Sequence, residues 1–334
     1  MYSVYQHWDK LKVCVIGKSY PPEFYSYITN KRVRSVMERI AIETEEDYQK
    51  LIKLLESFNV KVLRPDIKNS KDFYKLKDGN YLPPPMAPRD WSAMVGNKFY
   101  MYNHKKTLPY QNIVKHVKEQ NNQVITNIFV SSANVTRVGK DLYFGTITSN
   151  DLLTDDYKNE KLKEFSHLYR CHFINTNGHS DGVFCPVVPG LIISLHDIQK
   201  YENTFPNWEV VYLPDQSWDL VQPFLELKGK NAGKWWVPGE ELNDDFTDFV
   251  ESWLKNWVGF VEESVFDVNM LVIDKKNVVC NNYNKQVFDA FKRHEITPHI
   301  VNFRHRYFWD GGLHCITSDL DREGSMEDYF PERR

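Results

Sequence analysis

Val268-Asn269-Met270-Leu271-Val272-Ile273-Asp274-Lys275-Lys276-Asn277-Val278-Val279-Cys280 is the stretch on which the fold turns. Asn269 to Ile273 is an apolar run of strand type. Asp274-Lys275-Lys276-Asn277 has turn chemistry, and Val278 to Cys280 resumes the strand. Asn284 can cap a helix whose Val287, Phe288 and Phe291 share one face. Ile300 to Phe303 then reads as a further strand. The unit is therefore strand, tight turn, strand, helix, strand.

Rougher copies recur upstream. Gly182 to Val188, the Pro189-Gly190 turn, Leu191 to Leu195 and Trp208 to Leu213 repeat the order. So do Val135 to Val138, Gly139-Lys140, Asp141 to Phe144, a helix near Asn159 to His167, and Tyr169 to Ile174. Trp91 to Val95, Gly96-Asn97 and Lys98 to Tyr102 begin another. At the start come Lys12 to Ile16, a helix from Glu45 to Ser57 with Thr44 as cap, and Val60 to Arg64. Five copies of one supersecondary unit predict a ring of modules forming a single domain over residues 1–334. An insertion at about 217–264 interrupts it, carrying a helix with Phe246, Phe249, Val250, Trp253 and Trp257 on one face.

Composition narrows the function. The chain has 334 residues and a formal charge of −3, with acids and bases intermixed. No basic patch interleaved with aromatics suggests a nucleic-acid partner. No apolar run is long enough to span a bilayer, and the first residues do not read as a signal peptide. Five scattered cysteines without a CxxC pair argue against a disulfide framework and fit a reducing, cytoplasmic compartment. No GxGxxG or GxxxxGK[ST] loop occurs, so no cofactor is expected.

Three segments carry chemistry. Trp309-Asp310-Gly311-Gly312-Leu313-His314-Cys315 places a thiol just after two glycines, where it can face a pocket as a nucleophile. Cys14, Cys171, Cys185 and Cys280 lie in apolar runs and read as packing residues. Gly178-His179-Ser180-Asp181 offers an acid/base, with Asp181 on the same side as His179 if the backbone is extended. Pro88-Arg89-Asp90 precedes a strand. Taken alone, the second and third read as surface turns with solvated charges. A metal site built from His179, Asp181, His314 and Cys315 matches no common zinc spacing.

Together the segments resemble the amidinotransferases of the pentein superfamily, most closely the arginine:glycine amidinotransferases. The resemblance covers roughly residues 83–324. It rests on Pro88-Arg89-Asp90, Val95-Gly96-Asn97, Arg137-Val138-Gly139-Lys140-Asp141, His179-Ser180-Asp181, Pro189-Gly190-Leu191-Ile192, Asn269 to Asp274 and Gly311-Gly312-Leu313-His314-Cys315, in family order. It implies a five-fold pseudosymmetric α/β propeller (pentein) of ββαβ modules, in agreement with the repeat. It also implies that Cys315 is the nucleophile, His179 the acid/base, and Asp90 and Asp181 the carboxylates that hold a guanidinium. Ser131, Asn134, Asp267 and Asn269 fall at substrate-side positions. The implied reaction moves the amidino group of arginine to glycine or a related amine through an amidino-cysteine, giving ornithine and a guanidino product such as guanidinoacetate. The implied partners are small molecules, and homodimer formation is carried by the resemblance alone.

The chain departs from the family at the site's margin. Ser131 stands where the family has an acid that orients the histidine, and Asn134 stands where it has a second aspartate. His196-Asp197-Ile198-Gln199-Lys200 contains no arginine where the family holds the donor's carboxylate, and Asp267 replaces a serine. These changes imply a donor or acceptor other than arginine and glycine. Two alternatives follow from the same residues: a guanidine hydrolase or deiminase, with water as acceptor, and a non-catalytic guanidine binder.

Overall fold

The computed structural model describes residues 1–68, 74–76, 79–146, 151–176, 178–195, 200–213, 235–258 and 265–333. Much of the predicted insertion (217–234 and 259–264) and the His196–Gln199 segment lie outside these residues.

Five three-stranded sheets repeat one pattern, in which the middle strand runs antiparallel to the first and parallel to the third. In the first, β1 (Lys10–Ile16) is followed by α1 (Lys31–Ser57) and β2 (Lys61–Leu63). The second comprises β3 (Ser92–Val95), β4 (Lys98–Met101), α2 (Gln111–Glu119) and β5 (Gln123–Ile125). The third comprises β6 (Val135–Val138), β7 (Asp141–Thr146), α3 (Asp151–Phe165) and β8 (Arg170–Asn175). The fourth comprises β9 (Phe184–Val188), β10 (Leu191–Ser194), α4 (Tyr201–Thr204) and β11 (Glu209–Tyr212). After α5 (Asp244–Trp253) and α6 (Val265–Val268) comes the fifth, with β12 (Leu271–Asp274), β13 (Asn277–Cys280), α7 (Lys285–Arg293) and β14 (Thr297–Ile300). A turn of helix, α8 (Arg306–Trp309), leads to β15 (Thr317–Glu323).

This is the predicted five-module α/β propeller. The opening strand of the first module is β15, which pairs antiparallel with β1 from Ile16↔Thr317 to Lys10↔Glu323. That strand escaped the sequence reading because Asp319, Asp321 and Arg322 interrupt any apolar alternation. Opening strands β3, β6 and β9 are buried along their whole length, whereas closing strands β2, β5, β11 and β14 are half exposed. The opening strands are thus the inner ones, and each delivers the loop before it to the ring's centre.

Local chemistry explains the elements. Asn30 caps α1 by accepting from Arg32 N and Val33 N at 3.0 and 3.3 Å. The cap therefore lies fourteen residues before the predicted one, since Thr44 is in the buried interior of the helix and accepts from Trp309 Nε1 at 2.9 Å. Asn284 caps α7 as predicted, accepting from Gln286 N and Val287 N. The strand after it is Thr297–Ile300 rather than Ile300–Phe303, because Val301 and Phe303 are apolar for core packing beyond the sheet. In α5, Phe246 and Val250 pack into the core, but Trp253 faces solvent and Trp257 is buried beyond the helix end. Gly139 turns the β6–β7 hairpin in the left-handed region, and a Cβ there would meet Glu327 O at 2.0 Å, so no other residue fits. Among the described residues no helix is long and apolar enough to cross a membrane.

Candidate active site

Cys315 sits in the loop between α8 and β15. The loop leaves α8 through Asp310, whose φ of 51° is the left-handed helix cap that aspartate tolerates. Gly312 follows because a Cβ there would lie 2.7 Å from Asn269 Oδ1 and 2.9 Å from Asn281 Nδ2. Asn269, fully buried before β12, is the clamp. Its Oδ1 accepts from His314 N at 2.9 Å and Cys315 N at 3.1 Å. Its Nδ2 donates to Cys315 Sγ at 3.0 Å and to Asp181 O at 3.2 Å. One amide therefore fixes the thiol's backbone, its sulfur and the segment carrying Asp181.

Asp181 lies in a 3-10 turn, Ser180–Gly182, and not in extended chain. That turn aims its carboxylate at the sulfur: Oδ2 is 3.5 Å from Cys315 Sγ and 2.8 Å from His314 Nδ1. His179, just before the turn, places Nδ1 3.7 Å from Asp90 Oδ1. Cys315 and Asp181 thus form one close pair and His179 and Asp90 another, and the short His179–Asp181 segment links the two along the chain. Asp90 Oδ1 and Asp181 Oδ1 are shielded from solvent and accept no hydrogen bond among the described residues. Unpaired buried carboxylate oxygens are costly and seek an N–H donor.

The charges tune one another. Burial raises the Cys315 thiol well above its usual value, and Asp181 and Asp90 push it the same way. Burial, with repulsion from Asp181 and Asp310, lifts Asp90 to about 6 against the pull of His179. Burial disfavours the His179 cation, but Asp90, Asp181 and Asp310 outweigh it and raise its pKa. Burial and then Arg89 hold His314 down to about 4, so it is neutral and accepts or donates as an imidazole. Asp181 stays ionised: burial opposes this, and the His314 hydrogen bond and the nearby cationic groups overcome it. A cation bound between the acids would favour the thiolate.

Beneath the loop lies an ionic hub absent from the sequence reading. Arg89, read as a solvated turn residue, is fully buried. Its Nε donates to His314 O at 2.6 Å and Thr317 O at 2.8 Å, carbonyls that bracket Cys315, and its Nη1 donates to Asp319 Oδ1 at 3.3 Å. Arg137 grips both Asp319 oxygens at 2.8 and 2.9 Å, and Arg322 Nε reaches Oδ2 at 2.7 Å. The available signal was Arg137, a charge within a strand that the repeat places at the centre.

The remaining predicted residues surround the site without touching the sulfur. Ser131 Oγ donates to Arg89 O and accepts from Ala133 N, both at 3.1 Å, so it braces backbone and makes no hydrogen bond to His179. Asn134 Oδ1 accepts from Ser180 N at 3.2 Å and pins the Asp181 turn. Asp267 is occupied by Asn282 and Asn284, which donate at 2.8 and 2.9 Å. Cys14, Cys185 and Cys280 are buried as predicted, whereas Cys171 is only half-buried.

Comparison with known proteins finds chains of similar sequence and similar fold. No family model matches the chain. Over 209 residues the chain is 24% identical to the L-arginine:L-lysine amidinotransferase of Pseudomonas savastanoi pv. phaseolicola, a match spanning 60% of this chain and 46% of that relative. It is 20% identical to the mitochondrial glycine amidinotransferase of Xenopus tropicalis over 98% of this chain and 84% of the relative. The solved inosamine-phosphate amidinotransferase of Streptomyces griseus superposes with a TM-score of 0.70 at 17% identity, covering 98% of this chain and 99% of that one. The fold is that of a pentein. In sequence and in fold the chain is similar to amidinotransferases.

Proposed function

We propose that the protein transfers an amidino group from arginine to an amine through a covalent amidino-Cys315. The observation that carries this reading is the pair of buried oxygens on Asp90 and Asp181 that accept no hydrogen bond among the described residues, with a thiol 3.5 Å from Asp181. A planar guanidinium, all donors and no acceptor, satisfies both acids and brings its central carbon to the sulfur.

With the cation bound, the Cys315 thiolate attacks that carbon. The C–N bond to the ornithine nitrogen breaks, and imidazolium His179 gives that nitrogen its proton. Cys315 then holds a cationic amidino group, and His179 is neutral. An incoming amine attacks the same carbon and loses a proton to His179, the C–S bond breaks, and thiolate and imidazolium are restored. Asp90, beside His179, favours the protonated form that starts the cycle. Such acid/base assistance contributes about 10²- to 10⁴-fold.

Glycine is one acceptor in this scheme, giving guanidinoacetate. The test is product analysis of arginine with a mixture of amines. Ornithine plus a new guanidino compound supports transfer. Citrulline or urea supports the hydrolase, and neither product from folded protein supports the binder.

A further inference from the structure

A cleft runs outward from Asp90 between prolines 83–85 and the indoles of Trp257 and Trp309, with Trp91, Lys106 and Asp310 also in its wall. Lys106 is the single cationic side chain in that wall among the described residues. Its backbone is fixed at the start of a short helix. His104 caps the 3-10 helix Lys105–Tyr110 and accepts from Lys106 N at 3.2 Å. The Lys106 ammonium lies 5.3 Å from the centroid of the Trp91 ring, which itself stacks on His104 at 5.6 Å. No carboxylate pairs with this ammonium among the described residues.

Electrostatics gives this cation a use. Asp90, Asp181 and Asp310 favour a guanidinium and repel any acid that enters with it. A substrate carrying its own carboxylate needs a compensating cation farther along the cleft. Lys106 and Trp91 share the wall of this cleft with Asp90, so the ammonium and one of the two guanidinium-binding carboxylates face the same space. We propose that Lys106 reads the carboxylate of the amino acid whose guanidinium is held by Asp90 and Asp181. This rests on the amidino-transfer reading and names the residue that selects a donor bearing a carboxylate. A lysine that only packs on Trp91 would have no such preference.

The test is calorimetric titration in a Cys315→Ala background, where no covalent step occurs, using arginine and decarboxylated arginine. The second probe keeps the guanidinium and the amine and lacks the carboxylate. Wild-type Lys106 should prefer arginine, and Lys106→Met should cut the ratio of the two affinities by about 10-fold or more, the usual worth of a hydrogen bond to a charged group. Lys106→Arg should restore most of the ratio. An unchanged ratio in a Lys106→Met protein of normal thermal midpoint overturns the proposal, as does absence of any preference at the start. Ornithine release by the native enzyme is measured beside it. Release with an unmoved ratio defeats this inference alone, and a moved ratio without release defeats the transfer reading alone.

Discussion

Replacing Asp319 with asparagine keeps the side chain's shape and removes the charge that three guanidinium groups share. Arg89, Arg137 and Arg322 reach this carboxylate at 2.7 to 3.3 Å, and Asp319 and Arg89 are wholly excluded from water. Each close pair is worth about 4 kcal/mol at an effective dielectric near 20, and much of that is offset by the cost of desolvating the ions. Removing one partner of such a buried pair typically costs about 3–5 kcal/mol, because the cations are left uncompensated. The expected loss is therefore about 3–5 kcal/mol from a total of about 5–15. Urea denaturation at pH 7 measures it. The pH dependence has a definite sign. Burial disfavours the Asp319 carboxylate, but Arg137, Arg322 and Arg89 hold its pKa well below the usual range. Its stabilisation is present above the unfolded value of about 3.9 and is lost as pH falls through the lower folded value. The gap between native protein and variant should stay constant from pH 7 to about 5 and narrow only in stronger acid. A variant within about 1 kcal/mol of the native protein at pH 7, below the range for a broken buried pair, refutes the hub as described.

Further expectations concern the site itself. Because burial, Asp181 and Asp90 hold the thiol high, alkylation of Cys315 by iodoacetamide should keep accelerating through pH 9, and Asp181→Asn should speed it at pH 8; a plateau below pH 8 in the native protein contradicts this. His314 has a folded pKa of about 4, below its unfolded value of about 6.5. The unfolded chain binds the extra proton between those values, so thermal stability should fall as pH drops from 6.5 towards 4, and His314→Gln should flatten that limb. Gly312→Ala forces a Cβ to 2.7 Å from Asn269 Oδ1. It should cost about 1–3 kcal/mol and reduce kcat/KM for ornithine release by ~10²-fold, as expected when a reacting group is displaced; near-native kinetics would show that the Asn269 clamp is dispensable.

The modules were legible because their hairpins carry their own turn chemistry and α1 and α7 their own apolar faces, whereas α2, β5 and α4 were not read. Asn284, for instance, caps its helix through purely local bonds. Cys315, His179, Asp90 and Asp181 were legible because each sits in a short segment whose glycine, proline or loop character marks it. Long-range ionic pairing was not legible. Arg89 and Asp319 are 230 residues apart, and nothing local distinguishes a buried guanidinium from a solvated one. The role of Asn269 was visible only as a family position, since its four bonds join segments separated by 45, 46 and 88 residues. Ser131 shows the opposite limit. Its place in the sequence suggested the orienting group for His179, yet its hydroxyl bonds to backbone and the carboxylate beside His179 is that of Asp90.

The most direct test of covalent transfer is mass spectrometry of the Cys315 peptide after brief exposure to arginine with no acceptor amine present. The account predicts one amidino group on Cys315 for each ornithine released, removed again when an amine is added. Ornithine release with Cys315 unmodified, or an amidino group on a different residue, would contradict it.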